Sequence, residues 1–386
     1  MAAPSVEERA SGRPSPFERL DRWPTALIGV AALAAAGVAT PHATRSAAAQ
    51  VWPPFVLVAG LLLVGLVADR DGLFAWSGRW LADRARGPRS LLLGGCLAVA
   101  VVTALLNLDT AVVFLTPVLV HAARRSGAED GPLVIACILV ANAASLLLPG
   151  SNLTNLLVLG HLHLTGGQFL ARTALPWALA VGVTVAVVAV AGRRSAGPPP
   201  EVEAPGPPLV VGVGALAVVA TTAAVVALAD PALPVLAIGV VAVVVRGASG
   251  RIDRPDVGQV LGLPVLVALF GVAVALGTLG RTWSGPAQLL ARLDAPATTA
   301  VAALTSVLVN NLPAASLLAA RTPPHPFALL VGLDIGPNLF VTGSLAWVLW
   351  WRAARTAGVR PPTRRAVLLG LVSAPLAMAL AVLALA

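Results

Sequence analysis

The chain has 386 residues, of which 58% are hydrophobic and only 11% are charged. This composition excludes an ordinary soluble domain and indicates a polytopic helical membrane protein. All 26 basic residues other than histidine are arginines, and the formal net charge is +9. The arginines lie in short loops between apolar stretches, which favours a role in membrane topology and in contact with membrane lipid over nucleic-acid binding.

Several apolar segments are too short to cross a bilayer alone, since a simple crossing needs about 20 residues. The short segments 90–106 and 111–120 form one pair, and 297–309 and 312–320 form another, so we predict two re-entrant hairpins. Proline and glycine interrupt two further stretches, which we predict to be crossings unwound in the middle. These are 132–164 in the first half and 326–351 in the second.

These segments predict an all-α membrane protein with two inverted repeats, each with a re-entrant hairpin and a broken transmembrane helix. The division is a cytoplasmic N-terminal segment at 1–24, a first repeat at 25–194, a Pro-rich cytoplasmic linker at 195–208 and a second repeat at 209–386. This topology puts 21 of the 26 arginines on the cytoplasmic side, as the positive-inside rule requires. It predicts a multi-pass plasma-membrane protein with a cytoplasmic N-terminus.

Polar residues cluster at the four interruptions, two in each half. Inside hydrocarbon such groups are costly, and irregular backbone is tolerated only where it is buried in protein or lines a cavity. Interrupted segments at corresponding places in two halves indicate the binding site of a transporter. The predicted solute and ion ligands are Asn107, Asp109, Thr110, Ser151, Asn152, Thr154, Asn155, Asn310, Asn311, Asp334, Asn338, Thr342 and Ser344. The alternative for the amides and hydroxyls is that they only join helices.

The two acids among these residues are candidates for coupling transport to a proton or a cation. Asp109 lies at the first hairpin tip, where a carboxylate must be protonated, paired or hydrated. Its alternative role is to cap the second hairpin arm. For Asp334 the alternatives are capping or pairing with an arginine.

Four motifs resemble the ion transporter superfamily, which includes arsenite permeases, sodium–proton antiporters and citrate carriers. They are NLDTAVVFLTP at 107–117, ANAASLLLPGSNLTNL at 141–156, VNNLPA at 309–314 and GLDIGPNL at 332–339. The first resembles the first hairpin of arsenical pump membrane proteins, and the second their first broken helix. The resemblance implies an inner-membrane secondary carrier with two inverted repeats. In the arsenite branch the solute is a neutral trihydroxy metalloid that is expelled in exchange for protons.

We therefore predict a secondary active transporter of a small inorganic solute, with proton-coupled efflux of arsenite or antimonite as the leading function. The alternatives are a sodium–proton antiporter and a carrier of carboxylates or other anions. The sequence contains no catalytic constellation, nucleotide-binding loop or metal motif, so we expect neither an enzyme nor a resident cofactor, and the coupling ion is a proton or sodium. A homodimer and association with a separate ATPase remain open.

Overall fold

The computed structural model describes residues 23–160, 162, 164–192, 212–228, 230–250 and 252–385. The predicted linker and nearly all of the predicted N-terminal segment lie outside these residues. The described part is helical, as predicted, and five of its helices are long and apolar enough to cross a membrane. They are Pro41–Arg70, Pro88–Leu105, Gly166–Ala191, Pro255–Thr282 (with one interruption) and Thr363–Leu383.

The helices of the first half follow the predicted order. They are α1 (Trp23–Ala39), α2 (Pro41–Arg70), the short α3 (Leu73–Arg84), the hairpin arms α4 (Pro88–Leu105) and α5 (Leu108–Arg125), the broken pair α6 (Asp130–Ala144) and α7 (Leu153–Leu159), and α8 (Gly166–Ala191). A 3₁₀ turn, Pro149–Ser151, lies between α6 and α7.

The second half has the same order from its short helix onward, but four helices precede that short helix, whereas two precede α3 in the first half. Its helices are α9 (Val213–Ala227), α10 (Ala232–Ala248), α11 (Arg254–Leu261), α12 (Leu263–Thr282), the short α13 (Gly285–Leu290), the hairpin arms α14 (Ala295–Val309) and α15 (Asn311–Leu318), the broken pair α16 (Pro326–Ile335) and α17 (Leu345–Thr356), and α18 (Thr363–Leu383). A 3₁₀ turn, Gly336–Leu339, follows α16.

Two boundaries differ from those that the apolar stretches 51–68 and 257–279 of the sequence predict. The single segment expected at 257–279 is two helices, because Gly262 adopts a left-handed conformation (φ +54°) and separates α11 from α12. The helix expected at 51–68 begins ten residues earlier, at Pro41, where proline is favourable in the first turn because no helical partner is needed for an N–H.

Glycine pairs bring the outer helices of the two halves into close contact. Gly29 of α1 faces Gly271 of α12, and Gly60 of α2 faces Gly239 of α10; a Cβ atom at Gly271 or Gly239 would overlap the opposing glycine's backbone. Small residues allow this approach between membrane helices. In each pair, a glycine of the first half faces a glycine of the second half. That the two halves are repeats with opposite orientations across the membrane stays a prediction.

The second arm of each broken crossing packs with the other half of the molecule. In one hydrophobic core, Trp347 and Trp350 of α17 pack with α5 and α6 of the first half. In the other, Leu157 of α7 packs with α15 and α16 of the second half. Because the arms cross over in this way, the unwound turns of both halves meet between the two cores.

Candidate functional site

The tip of the first hairpin is a helix start that Asn107 caps. The Asn107 side-chain oxygen accepts a hydrogen bond from the Thr110 backbone N–H at 2.7 Å and satisfies one of the free donors at the start of α5. The capping role considered for Asp109 is therefore filled by Asn107. Within the part of the chain that the structure describes, nothing donates a hydrogen bond to the Asp109 carboxylate, which is 4% exposed.

The tip of the second hairpin has a strained backbone. Asn310 has φ +76° and is the one non-glycine residue with a positive φ among those described. Such a conformation costs about 1–3 kcal/mol and persists where the surroundings enforce it. The Asn310 side-chain oxygen accepts from the Leu312 N–H at 3.3 Å, and the Asn311 N–H donates to the Gly343 carbonyl at 2.8 Å. These bonds fix the tip against the second unwound crossing.

Side chains replace the missing helical hydrogen bonds in the first unwound crossing. The Asn155 amide donates to the carbonyls of Ser145 and Leu148 at 2.8 and 3.0 Å. The Ser151 hydroxyl donates to the Leu148 carbonyl at 2.6 Å and accepts from the Leu148 N–H at 2.8 Å. Backbone groups that would be expensive in hydrocarbon are thereby satisfied.

Asn142 of α6 links the two unwound crossings, although it was not among the predicted ligands. Its amide donates to the Asn338 side-chain oxygen at 3.0 Å, and its oxygen accepts from the Ser344 hydroxyl at 3.2 Å. The Asn338 amide donates to the Leu139 carbonyl at 2.8 Å. Asn142 is fully buried. The sequence signal that could have identified it is an amide side chain inside an apolar stretch, because such a group needs polar partners within the protein.

A narrow cleft lies where the two hairpin tips meet the two unwound crossings, with about 340 Å³ of empty space including its mouth. The structure brings five of the thirteen predicted ligands to this cleft: Asp109, Asn152, Asn310, Asn311 and Ser344. Its apolar walls are Phe55 of α2, Leu266 and Leu269 of α12, and four leucines at helix starts, Leu108, Leu153, Leu312 and Leu345. All four predicted interruptions therefore reach the neighbourhood of one site.

The other eight predicted ligands lie outside the lining of the cleft. Four of them form the hydrogen bonds to backbone groups described above: Asn107, Ser151, Asn155 and Asn338. Thr110 and Thr154 are buried, Thr154 donates to Asp334 at 2.5 Å, and Thr342 is exposed and donates to the Val307 carbonyl at 2.5 Å. The donors that reach Asp334 are an amide and a hydroxyl, not the arginine considered from the sequence. A solute or ion role for any of the thirteen stays a prediction.

Of the described residues that line the cleft, one has an acidic side chain and none has a basic one. Helices α5, α7, α15 and α17 begin at its edge, and helix N-termini carry partial positive charge from their free N–H groups. This arrangement can hydrogen-bond a small polar solute through amides, one hydroxyl and one carboxylate. Among the described residues, no group of three or more His, Cys, Asp or Glu side chains could hold a metal ion.

The comparisons with known proteins agree with a transporter. The chain is 25% identical over 335 residues to the arsenical pump membrane protein of Escherichia coli, covering 78% of each. It is 30% identical over 135 residues to the inner membrane protein YbiR of Escherichia coli, over 35% of this chain and 36% of that one. It is 29% identical over 143 residues to the silicon efflux transporter LSI3 of Oryza sativa, over 37% of this chain and 29% of that one.

The fold is similar to that of the YdaH transporter of Alcanivorax borkumensis, with a TM-score of 0.53 over 89% of this chain and 86% of that one, at 15% identity. The sequence model of the citrate transporter family matches residues 16–349. Since this match covers most of the chain and includes every element around the cleft, the protein is a multi-pass membrane transporter that belongs to the citrate transporter family (CitMHS) of the ion transporter superfamily.

Proposed function

We propose that this transporter is a secondary active carrier that exports arsenite or antimonite in exchange for protons. The observation that carries the proposal is the lining of the cleft: the described residues there combine one carboxylate with neutral amide and hydroxyl groups, and none of them is basic. A neutral trihydroxy solute offers only hydrogen-bond donors and acceptors, and these groups match it. The names of two relatives refer to arsenic and silicon, whose hydroxylated acids are small and neutral at neutral pH.

The carboxylate of Asp109 supplies the coupling in this proposal. An ionised carboxylate only accepts hydrogen bonds, whereas a protonated one becomes a donor. The hydroxyl groups of the solute therefore find two charged acceptor oxygens on Asp109 in its ionised form, whereas protonation removes the charge, turns one oxygen into a donor and weakens solute binding. Proton and solute then compete for Asp109, which is the requirement for exchange.

A second candidate is an anion carrier, and the helix starts at the cleft favour it. Four N-termini at the edge of one small cleft would attract an anion, and the family is named for citrate transport. In that case protonation of Asp109 removes a competing negative charge, so the proton and the anion would travel together. Exchange and joint transport give opposite responses to a pH gradient.

The test is transport by purified protein in proteoliposomes under an imposed pH gradient. The panel of solutes is arsenite, antimonite, silicic acid, citrate and sodium. If protons and arsenite exchange, a pH gradient should drive arsenite uphill toward the more acidic side of the membrane in the wild type. Asp109→Asn should abolish this proton-driven movement. The matched control is Asp294→Asn, because Asp294 is exposed and an asparagine can keep its cap on the Ala297 N–H.

Three results would contradict the proposal. Citrate movement in the same direction as protons would establish the anion carrier instead. Sodium movement against protons without any solute would establish the antiporter. Proton-driven arsenite exchange that survives in Asp109→Asn would remove Asp109 from the coupling step.

A further inference from the structure

Asp334 is a buried carboxyl group that lies behind the cleft. It is the next-to-last residue of α16, it is 0% exposed, and it does not line the cleft. The Asn152 amide and the Thr154 hydroxyl, both from the first half of the chain, donate to its Oδ1 atom at 2.9 and 2.5 Å. Asp334 therefore joins the two broken crossings directly.

Among the described residues, no basic side chain on the helices that pack against Asp334 is placed to balance a charge on it. Its helix packs against α6, α7, α14, α15, α18 and the 3₁₀ turn that follows it, and only α6 and α18 of these contain charged residues. Asp130 of α6 pairs with Arg124 at 3.5 Å. Arg364 and Arg365 of α18 are exposed, and Arg365 donates to the Ala191 carbonyl. A carboxylate at Asp334 would therefore be a buried ion without a counter-ion, which is very unfavourable.

The hydrogen bonds also differ between the two oxygens of Asp334. Both donors reach Oδ1, whereas Oδ2 is buried without a partner in the described part of the chain. If Asp334 were ionised, its Oδ2 atom would be a charged, buried oxygen without a hydrogen-bond donor. A neutral acid with its proton on Oδ2 keeps Oδ1 as the acceptor and leaves only a neutral O–H group unpaired.

Asn152 connects this buried acid to the cleft. Its amide is held by two acceptors, Asp334 Oδ1 at 2.9 Å and the Ser145 hydroxyl at 3.1 Å. Its own oxygen lies 3.4 Å from the Thr154 N–H, and the residue lines the cleft. The orientation of a cleft amide is thus set by a group that the solute does not reach.

We propose that Asp334 is a positioning residue that stays protonated through the transport cycle and orients Asn152, so that Asp109 alone carries the exchanged proton. This inference rests on the proposed function for its transport readout. The two acids then have separate roles: the cleft carboxyl exchanges a proton, and the buried carboxyl provides a permanent acceptor between the two halves.

Two substitutions separate a positioning role from a coupling role. Asp334→Asn keeps an Oδ1 acceptor and puts a neutral N–H group where the O–H group would be. It should therefore keep the pH dependence of exchange and an apparent affinity within about twofold of the wild type. Asp334→Leu removes the acceptor, so the affinity should fall by about tenfold, the equivalent of one lost hydrogen bond, while the remaining transport stays proton-driven.

A spectroscopic readout tests the same inference without transport. Infrared difference spectra of the wild type minus Asp334→Asn should contain the carbonyl stretch of a protonated carboxylic acid, unchanged across neutral pH. Titration of that band, or loss of proton coupling in Asp334→Asn, would overturn the inference. A pH-independent band in a protein that moves no arsenite would leave the inference standing and overturn the proposed function alone.

Discussion

The substitution Asn142→Leu should destabilise the contact between the two unwound crossings. Asn142 is fully buried and makes two side-chain bonds to the other half, one with Asn338 and one with Ser344. Hydrogen bonds between membrane helices average about 0.6 kcal/mol and reach about 1.7 kcal/mol. Loss of both bonds, at positions where water cannot replace them, should therefore lower the free energy of unfolding by about 1–3 kcal/mol.

The chain provides a convenient probe for this measurement. Its two cysteines, Cys96 and Cys137, are free and at most 2% exposed, so a thiol-reactive fluorophore should label them only as the protein unfolds. The control is Thr184→Val, because the Thr184 hydroxyl is equally buried but bonds only to the Ala180 carbonyl in its own helix. Equal melting temperatures for the two variants would refute the argument that Asn142 holds the two halves together.

Two further predictions concern the backbone at the turns. Gly370→Ala should disrupt transport and lower thermal stability, because the new Cβ atom would overlap the Asn338 carbonyl oxygen, whereas Gly182→Ala, with nothing within 4 Å of its Cβ position, should be silent in both assays. Asn310→Ala should destabilise the protein more than Asn310→Gly, since alanine keeps the positive-φ strain of about 1–3 kcal/mol and glycine relieves it. Both variants lose the side-chain cap on the Leu312 N–H, so a higher melting temperature for Asn310→Ala than for Asn310→Gly would refute the strain argument.

The positions of the breaks could be predicted from the sequence because their causes are local. Asn107, Asn152 and Asn310 each accept a backbone N–H at the start of the next helix, and Pro149 and Pro337 begin or lie within the 3₁₀ turns. Capping and proline chemistry act within a few residues. The pattern of short apolar segments around such residues was therefore sufficient to predict the hairpins and the broken helices.

The contacts between the halves could not be predicted because they depend on tertiary packing. Nothing local to Asn142 or Asp334 indicates that each bonds to the unwound crossing of the other half. The division of the thirteen predicted ligands into five that line the cleft and eight that do not has the same cause. Whether a polar residue at a break faces the cleft or its neighbouring backbone depends on how α7 and α17 cross over.

The bonds around the cleft restrict which polar groups can take part in transport. In hydrocarbon each polar group must first be satisfied by the protein itself, and the amides of Asn152 and Asn155 are already committed to protein acceptors. The Asp109 carboxylate differs, because it lines the cleft and receives no hydrogen bond from the described residues. A carboxylate left in this condition must take a proton, water or a solute that donates hydrogen bonds. In the proposed function, that competition at a single group couples a proton to a hydroxylated solute without a further charged residue in the cleft.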